Sequence, residues 1–214
     1  RPWVENLIKK EFPDATILET NSYYKGSRYT TEDHRKTLKV NGWTFAPVDI
    51  MDEHGTIDLP VKGGKWFDHM TMGETLINYD SLVVLTHFKG HVAGGFGGSN
   101  KNIGIGCADG RIGKAMIHTT PGQSNQWDIN AEELMERISE SSKATVDHFG
   151  KKITFVNVMR NMSVDCDCAG TTAAPVVTPN VGILASRDIC ALDTACVDLV
   201  FAMGEQHNKA LVER

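Results

Sequence analysis

Apolar residues recur at two spacings along this chain, and the alternation between them sets the expected architecture. Trp3, Val4, Leu7 and Ile8 fall on one face of a helical period behind Pro2, a residue suited to a first helical turn. Pro13-Asp14 breaks that helix, and Ala15 to Glu19 reads as a strand. A second helix is predicted from Thr30 or Thr31, with acids in its first turn, to the Asn41-Gly42 stop. Short strands are expected over 46–50 and 56–61. Ser81 to Thr86 is nearly all apolar, as is Ile153 to Val158, and Val181 to Ala185 is a third such run. Short continuous runs of this kind mark strands buried on both faces, as in a parallel sheet.

Helical patterns separate those runs. Gly110 to His118 fits a short helix. Asn130 opens the clearest one, with Glu132 and Glu133 favouring its positive end, Leu134, Ile138, Ala144 and Val146 on its buried face, and Gly150 closing it. Asp193 to Met203 reads as a closing amphipathic helix. Strands alternating with helices predict the α/β class: a mainly parallel sheet flanked by helices, in a single domain over residues 1–214.

Charge and cysteine usage narrow the partners. The net charge is -5 with no long basic run, which argues against nucleic acid or an anionic membrane as the main partner. No apolar stretch approaches the roughly 20 residues that span a bilayer. The cysteines, Cys107, Cys166, Cys168, Cys190 and Cys196, are odd in number and lack the spacing of a disulfide scaffold, so reduced thiols and a cytoplasmic setting are expected. Cys190 and Cys196 fall in or beside an apolar helix and are expected in the core. Cys166-Asp167-Cys168 places two sulfurs on one side of an extended chain, a pattern open to soft-metal or redox chemistry and equally to two structural thiols.

The stretch from Thr86 to His118 concentrates the candidate chemistry. His87, Lys89 and His91 emerge directly after a buried strand, where ligands of open α/β sheets bind. Five glycines follow within His87 to Lys101, so no regular element is expected there. Gly94, Gly95, Gly97 and Gly98 can bring backbone amides close to an anion, with Lys101 and Asn102 beside them. The pattern is neither a dinucleotide fingerprint nor a P-loop. His91 suits acid/base work near neutral pH, with Lys101 as point charge or covalent tether and His87 as a further catalytic candidate. Lys25, Arg28 and His34 follow a strand end; read alone, they are a solvated loop.

Thr86-His-Phe-Lys-Gly-His91, Gly95-Phe-Gly-Gly, Lys101-Asn-Ile-Gly, Thr20-Asn-Ser-Tyr-Tyr-Lys-Gly-Ser-Arg28 with His34 after it, Val164-Asp-Cys-Asp-Cys-Ala-Gly170 and Gly182-Ile-Leu-Ala-Ser together resemble the uncharacterised iron-sulfur-centre protein family, domain of unknown function 362. The resemblance covers nearly the whole chain. It implies a fragment of a longer protein and makes Lys25, Arg28 and His34 candidate ligand-binding residues. Many relatives carry a ferredoxin-like cluster segment where this chain has only the cysteine-free link Thr119 to Ile129. No iron-sulfur cluster is therefore expected in this chain alone. The pattern from His91 to Lys101 is also similar to a stretch of the nickel-pincer lactate racemases. That likeness implies an acid/base role for His91, a cofactor tether at Lys101 and a metal ligand at or beside His118. The expected function is a cofactor- or metal-dependent enzyme acting on a small anionic ligand, with a transition metal or metal-containing cofactor. Cys166 and Cys168 are further metal candidates. The alternative is a non-catalytic metal-binding or electron-transfer module with a ferredoxin-like partner.

Overall fold

The computed structural model describes residues 2–119, 128–166 and 172–213. Cys168 and Trp127 lie outside the described residues. Helix α1 (Pro2–Glu11) leads into β1 (Ile17–Glu19), α2 (Thr31–Val40) and β2 (Val48–Ile50), which pairs parallel with β1. The Thr30 hydroxyl accepts the Asp33 amide and caps α2. β3 (Thr56–Pro60) then forms an antiparallel pair with β4 (His69–Gly73).

The central sheet holds β5 (Leu82–His87), β8 (Ile153–Met159) and β9 (Gly182–Ser186), in the order β5-β8-β9. β5 and β8 run parallel, with Leu82 opposite Ile153 and His87 opposite Val158. β9 is antiparallel to β8. The sheets are thus small and mixed: the parallel character expected throughout is confined to β1–β2 and β5–β8. Among the described residues no α-helix separates β8 from β9, and an antiparallel return needs no helical crossover.

The glycine-rich stretch is more regular than its composition implied. Lys89–His91 (β6) and Gly95–Gly97 (β7) form an antiparallel hairpin, turned at Gly95 with φ +70°. α3 (Ser99–Gly106) and α4 (Gly113–His118) follow. α5 (Ala131–Phe149) starts at Asn130, whose side-chain oxygen accepts the Glu132 and Glu133 amides at 2.9 and 3.3 Å, and stops at Gly150 with φ +55°. The closing helix α6 (Ile189–Ala202) begins four residues earlier than expected, capped by Asp188, and a further helix α7 (Glu205–Val212) follows it. Cys196 is buried as expected, whereas Cys190 is exposed on α6.

α3 and α6 pack on one face of the central sheet, where Val84, Thr86, Phe155 and Asn157 are buried. Met70, Met72, Leu76 and Ile117 extend the core towards β4 and α4. On the opposite face Val83 and Ile183 are each 50% exposed. Among the described residues no helix is long and apolar enough to cross a membrane.

Candidate functional site

The end of β5 and the hairpin after it are anchored from three directions. The Asn102 amide donates to Thr86 Oγ1 at 2.9 Å and to the Leu85 carbonyl at 3.3 Å, so Asn102 is committed to tying α3 to β5. Gly90 donates its amide to the Ser163 carbonyl at 2.8 Å. A Cβ at Gly90 would lie 2.1 Å from the Val164 carbonyl oxygen, so only glycine admits this approach. The chain just before Cys166 therefore runs along the hairpin. Cys166 itself is half-buried.

The third anchor is a carboxylate. The Ser99 and Asn100 amides at the start of α3 donate to the two oxygens of Asp193 at 2.9 and 2.8 Å. Asn157 Nδ2 donates to the same carboxylate at 2.7 Å, and the Ser99 hydroxyl donates to Asn157 Oδ1 at 2.7 Å. The two amides that follow Gly98 are thus filled from within the protein. A Cβ at Gly98 would meet the Asp193 carboxylate at 2.5 Å.

The histidines divide by partner. His87 Nε2 donates to the Arg160 carbonyl at 2.8 Å, spanning the ends of β5 and β8. His91 Nδ1 accepts the Gly94 amide at 3.0 Å, so in the neutral ring the proton sits on Nε2. His118 Nδ1 donates to the Lys114 carbonyl one turn back at 2.8 Å, which makes Nε2 its lone-pair nitrogen. The two imidazoles therefore hold opposite tautomers: one carries a proton at Nε2, the other an electron pair.

His91, Lys101 and His118 share one electrostatic neighbourhood. Burial pushes the His118 imidazole below its ordinary pKa; the Lys114 carbonyl opposes this, and the charges of Lys101, Lys114 and His91 lower it further. The Tyr23 ring lies nearly parallel to His118, with centroids 6.0 Å apart. Lys89 is half-buried, its stem 3.8 Å from where a Gly97 side chain would start, and Gly94 and Gly95 form the hairpin's turn.

Lys114, which no motif or spacing marked, joins this cluster to the loop after β1. It is buried, and its ammonium donates to Thr20 Oγ1 at 2.6 Å and the Asn21 carbonyl at 2.5 Å. Burial lowers its pKa to about 8, against the nearby Asp52 carboxylate. Asp52 accepts the Asn21 and Gly110 amides at 3.0 and 2.8 Å; Asp109 accepts the Ile112 and Gly113 amides at 2.5 and 2.9 Å at the start of α4. The Arg111 guanidinium bonds the Ser22 and Tyr29 carbonyls and lies 3.7 Å over the Tyr29 ring, clasping the loop at both ends. Lys25 and Arg28 are exposed on this loop. His34 is instead fully buried: Nδ1 faces Asn21 Oδ1 at 3.3 Å, Nε2 has no hydrogen-bond partner, and burial lowers its pKa to about 4. His34 thus serves the base of the loop rather than its surface.

Against this geometry, the comparisons with known proteins decide the family. The family model described as "Domain of unknown function (DUF362)" matches residues 4–198. The chain belongs to the DUF362 family. Among solved structures, the DUF362 chain is similar to the lactate racemase apoprotein from Thermoanaerobacterium thermosaccharolyticum, with a TM-score of 0.51 and 16% identity. The match covers 93% of the DUF362 chain and 44% of that chain, so the DUF362 chain spans less than half of the racemase's length. At this identity the likeness is one of fold. Curated protein sequences yield no match.

Proposed function

We propose that this chain is the ligand-binding part of a cofactor- or metal-dependent enzyme acting on a small carboxylate, with His91, Lys101 and His118 as its working groups. What supports the reading is the influence of the Lys101 and His91 charges on His118, together with two histidine tautomers fixed in opposite senses. Two imidazoles so arranged offer a proton donor and an electron-pair donor to one ligand. Lys101 and Lys114 add positive charge suited to an anion. The fold likeness to a lactate racemase apoprotein makes a 2-hydroxy acid the first probe.

The donor set fits a metal-containing cofactor better than a bare ion. His118 has the bonding of a metal-ligating histidine: its other ring nitrogen is engaged by a backbone carbonyl, which fixes the tautomer. Among the described residues no three His, Cys, Asp or Glu groups gather as an ion site. Such a cofactor would supply the electron-accepting centre. This chain would hold the carboxylate through Lys101, exchange a proton at His91 Nε2, and anchor the cofactor through His118.

The test combines calorimetry with L-lactate, elemental analysis of anaerobically purified protein, and peptide mass spectrometry across Lys101. Saturable lactate binding that Lys101→Ala abolishes is expected, together with a transition metal or a mass adduct on Lys101 in protein isolated with its cofactor. Lactate binding that survives in both Lys101→Ala and His91→Ala sinks the reading.

A further inference from the structure

A second concavity lies away from the histidine cluster. Its volume is about 870 Å³, and Trp3, Leu7, Trp43, Leu85, Ile103 and Val156 form its principal walls. One side is α1, a helix with an apolar stripe but no buried residue. The other is the face of β5 and β8 that α3 and α6 leave uncovered, together with β1. Two apolar surfaces of one chain thus face each other without meeting. Packed interiors leave few voids larger than a water molecule, so a gap of this size is not a packing defect. Of the polar side chains around it, Tyr79 donates to Asp49 at 2.7 Å and Asn102 donates to Thr86 at 2.9 Å.

We propose that this space is a binding site for a neutral, elongated apolar small molecule. Its volume falls within the range of about 300–1,000 Å³ typical of small-ligand sites, and its walls are mostly apolar and aromatic, as in such sites. The occupant is a small molecule rather than a protein surface because α1, β1, β5 and α3 bound the space on several sides. It is not anionic, because Glu11, Asp14, Glu19 and Asp80 line the space with no Lys or Arg among them, an arrangement that repels a carboxylate headgroup. This is the opposite charge preference to that of the histidine site; Asn102 and Ile103 of α3 line this space, while Lys101 of the same helix belongs to the histidine site.

Titration of the full chain with N-phenyl-1-naphthylamine, a neutral apolar fluorophore, tests the inference. One saturable site per chain is expected, with quenching of Trp3 and Trp43 by energy transfer to the probe. Laurate, which carries the same apolar character on an anionic head, should bind at least about tenfold more weakly. Leu7→Trp and Leu85→Trp, which fill the space from opposite walls, should each weaken probe binding by about tenfold, equivalent to 1.4 kcal/mol. Leu7 sits on a helix without buried residues, so that variant folds even if the strand variant does not. Absence of saturable binding, equal affinity in Leu7→Trp, or laurate binding as tightly as the neutral probe overturns the proposal. L-lactate should leave probe fluorescence unchanged, which keeps this result separate from that of the proposed function; displacement by lactate would contradict a separate site.

Discussion

Two polar clusters are built partly on the first turn of α3, and they spend their charge differently. In one, a single carboxylate, Asp193, meets two amides and the Asn157 side chain, and each partner is in turn bonded. In the other, Lys101 and Lys114 bring like charges near His91 and His118, and the acids nearby, Asp52 and Asp109, are taken up by backbone amides. A closed cluster of matched donors and acceptors holds a fold. A cluster with surplus charge of one sign costs stability in isolation and becomes favourable when a ligand of the other sign arrives.

The comparison is most exposed to failure at Asp193. Asp193→Ala leaves two buried donors and one partly buried donor unmet and removes the cap of α3, so unfolding should become easier by about 4 kcal/mol in chemical denaturation. A loss below about 1 kcal/mol would mean that this cluster is not structural. Gly90→Ala comes next. Its methyl would force β6 away from Val164, at a cost of about 2–3 kcal/mol, and should speed alkylation of Cys166 by loosening the segment before it.

A pH measurement probes the buried histidine at the base of the loop. In the folded protein His34 titrates near 4 and in the unfolded chain near 6.5, because burial disfavours its charged form. Between those values the unfolded state binds more protons, so this contribution is complete above pH 6.5 and is lost as pH falls towards 4, on the order of 3 kcal/mol in all. His34→Gln should flatten the stability profile in that window. An unchanged slope would show that His34 is not the group responsible. The smallest effect is predicted for Lys101→Ala, within about 0.5 kcal/mol of wild type, since it removes one member of a like-charged group. A large loss there would place Lys101 with the structural cluster.

Much of the scaffold was legible because its signals are local. Asn130 and Gly150 delimit α5, and the apolar runs of β5 and β8 pair in the predicted parallel sense. The glycine stretch was misread because its order comes from distant partners: Ser99 and Asn100 are completed by Asp193, more than ninety positions away. β4 was missed because its strand character comes from pairing with β3 rather than from an apolar run. Lys114 sits in a segment that reads as an ordinary short helix, and its burial follows from the docking of α4 against β4 and of the Thr20–Asn21 loop onto its amine. His91 and Lys101 were singled out by residue type and spacing and His118 by the likeness to the nickel-pincer racemases, while Lys114, Asp52, Asp109 and Asp193 required the third dimension.

The close approach at Gly90 also constrains how this stretch can change over generations. A side chain there displaces Val164, and with it the chain leading to Cys166. Two positions on, Val92 is 70% exposed at the hairpin tip and meets no such barrier. Natural variation in the hairpin should therefore be lopsided, free at the tip and halted at its base, even where ligand preference diverges.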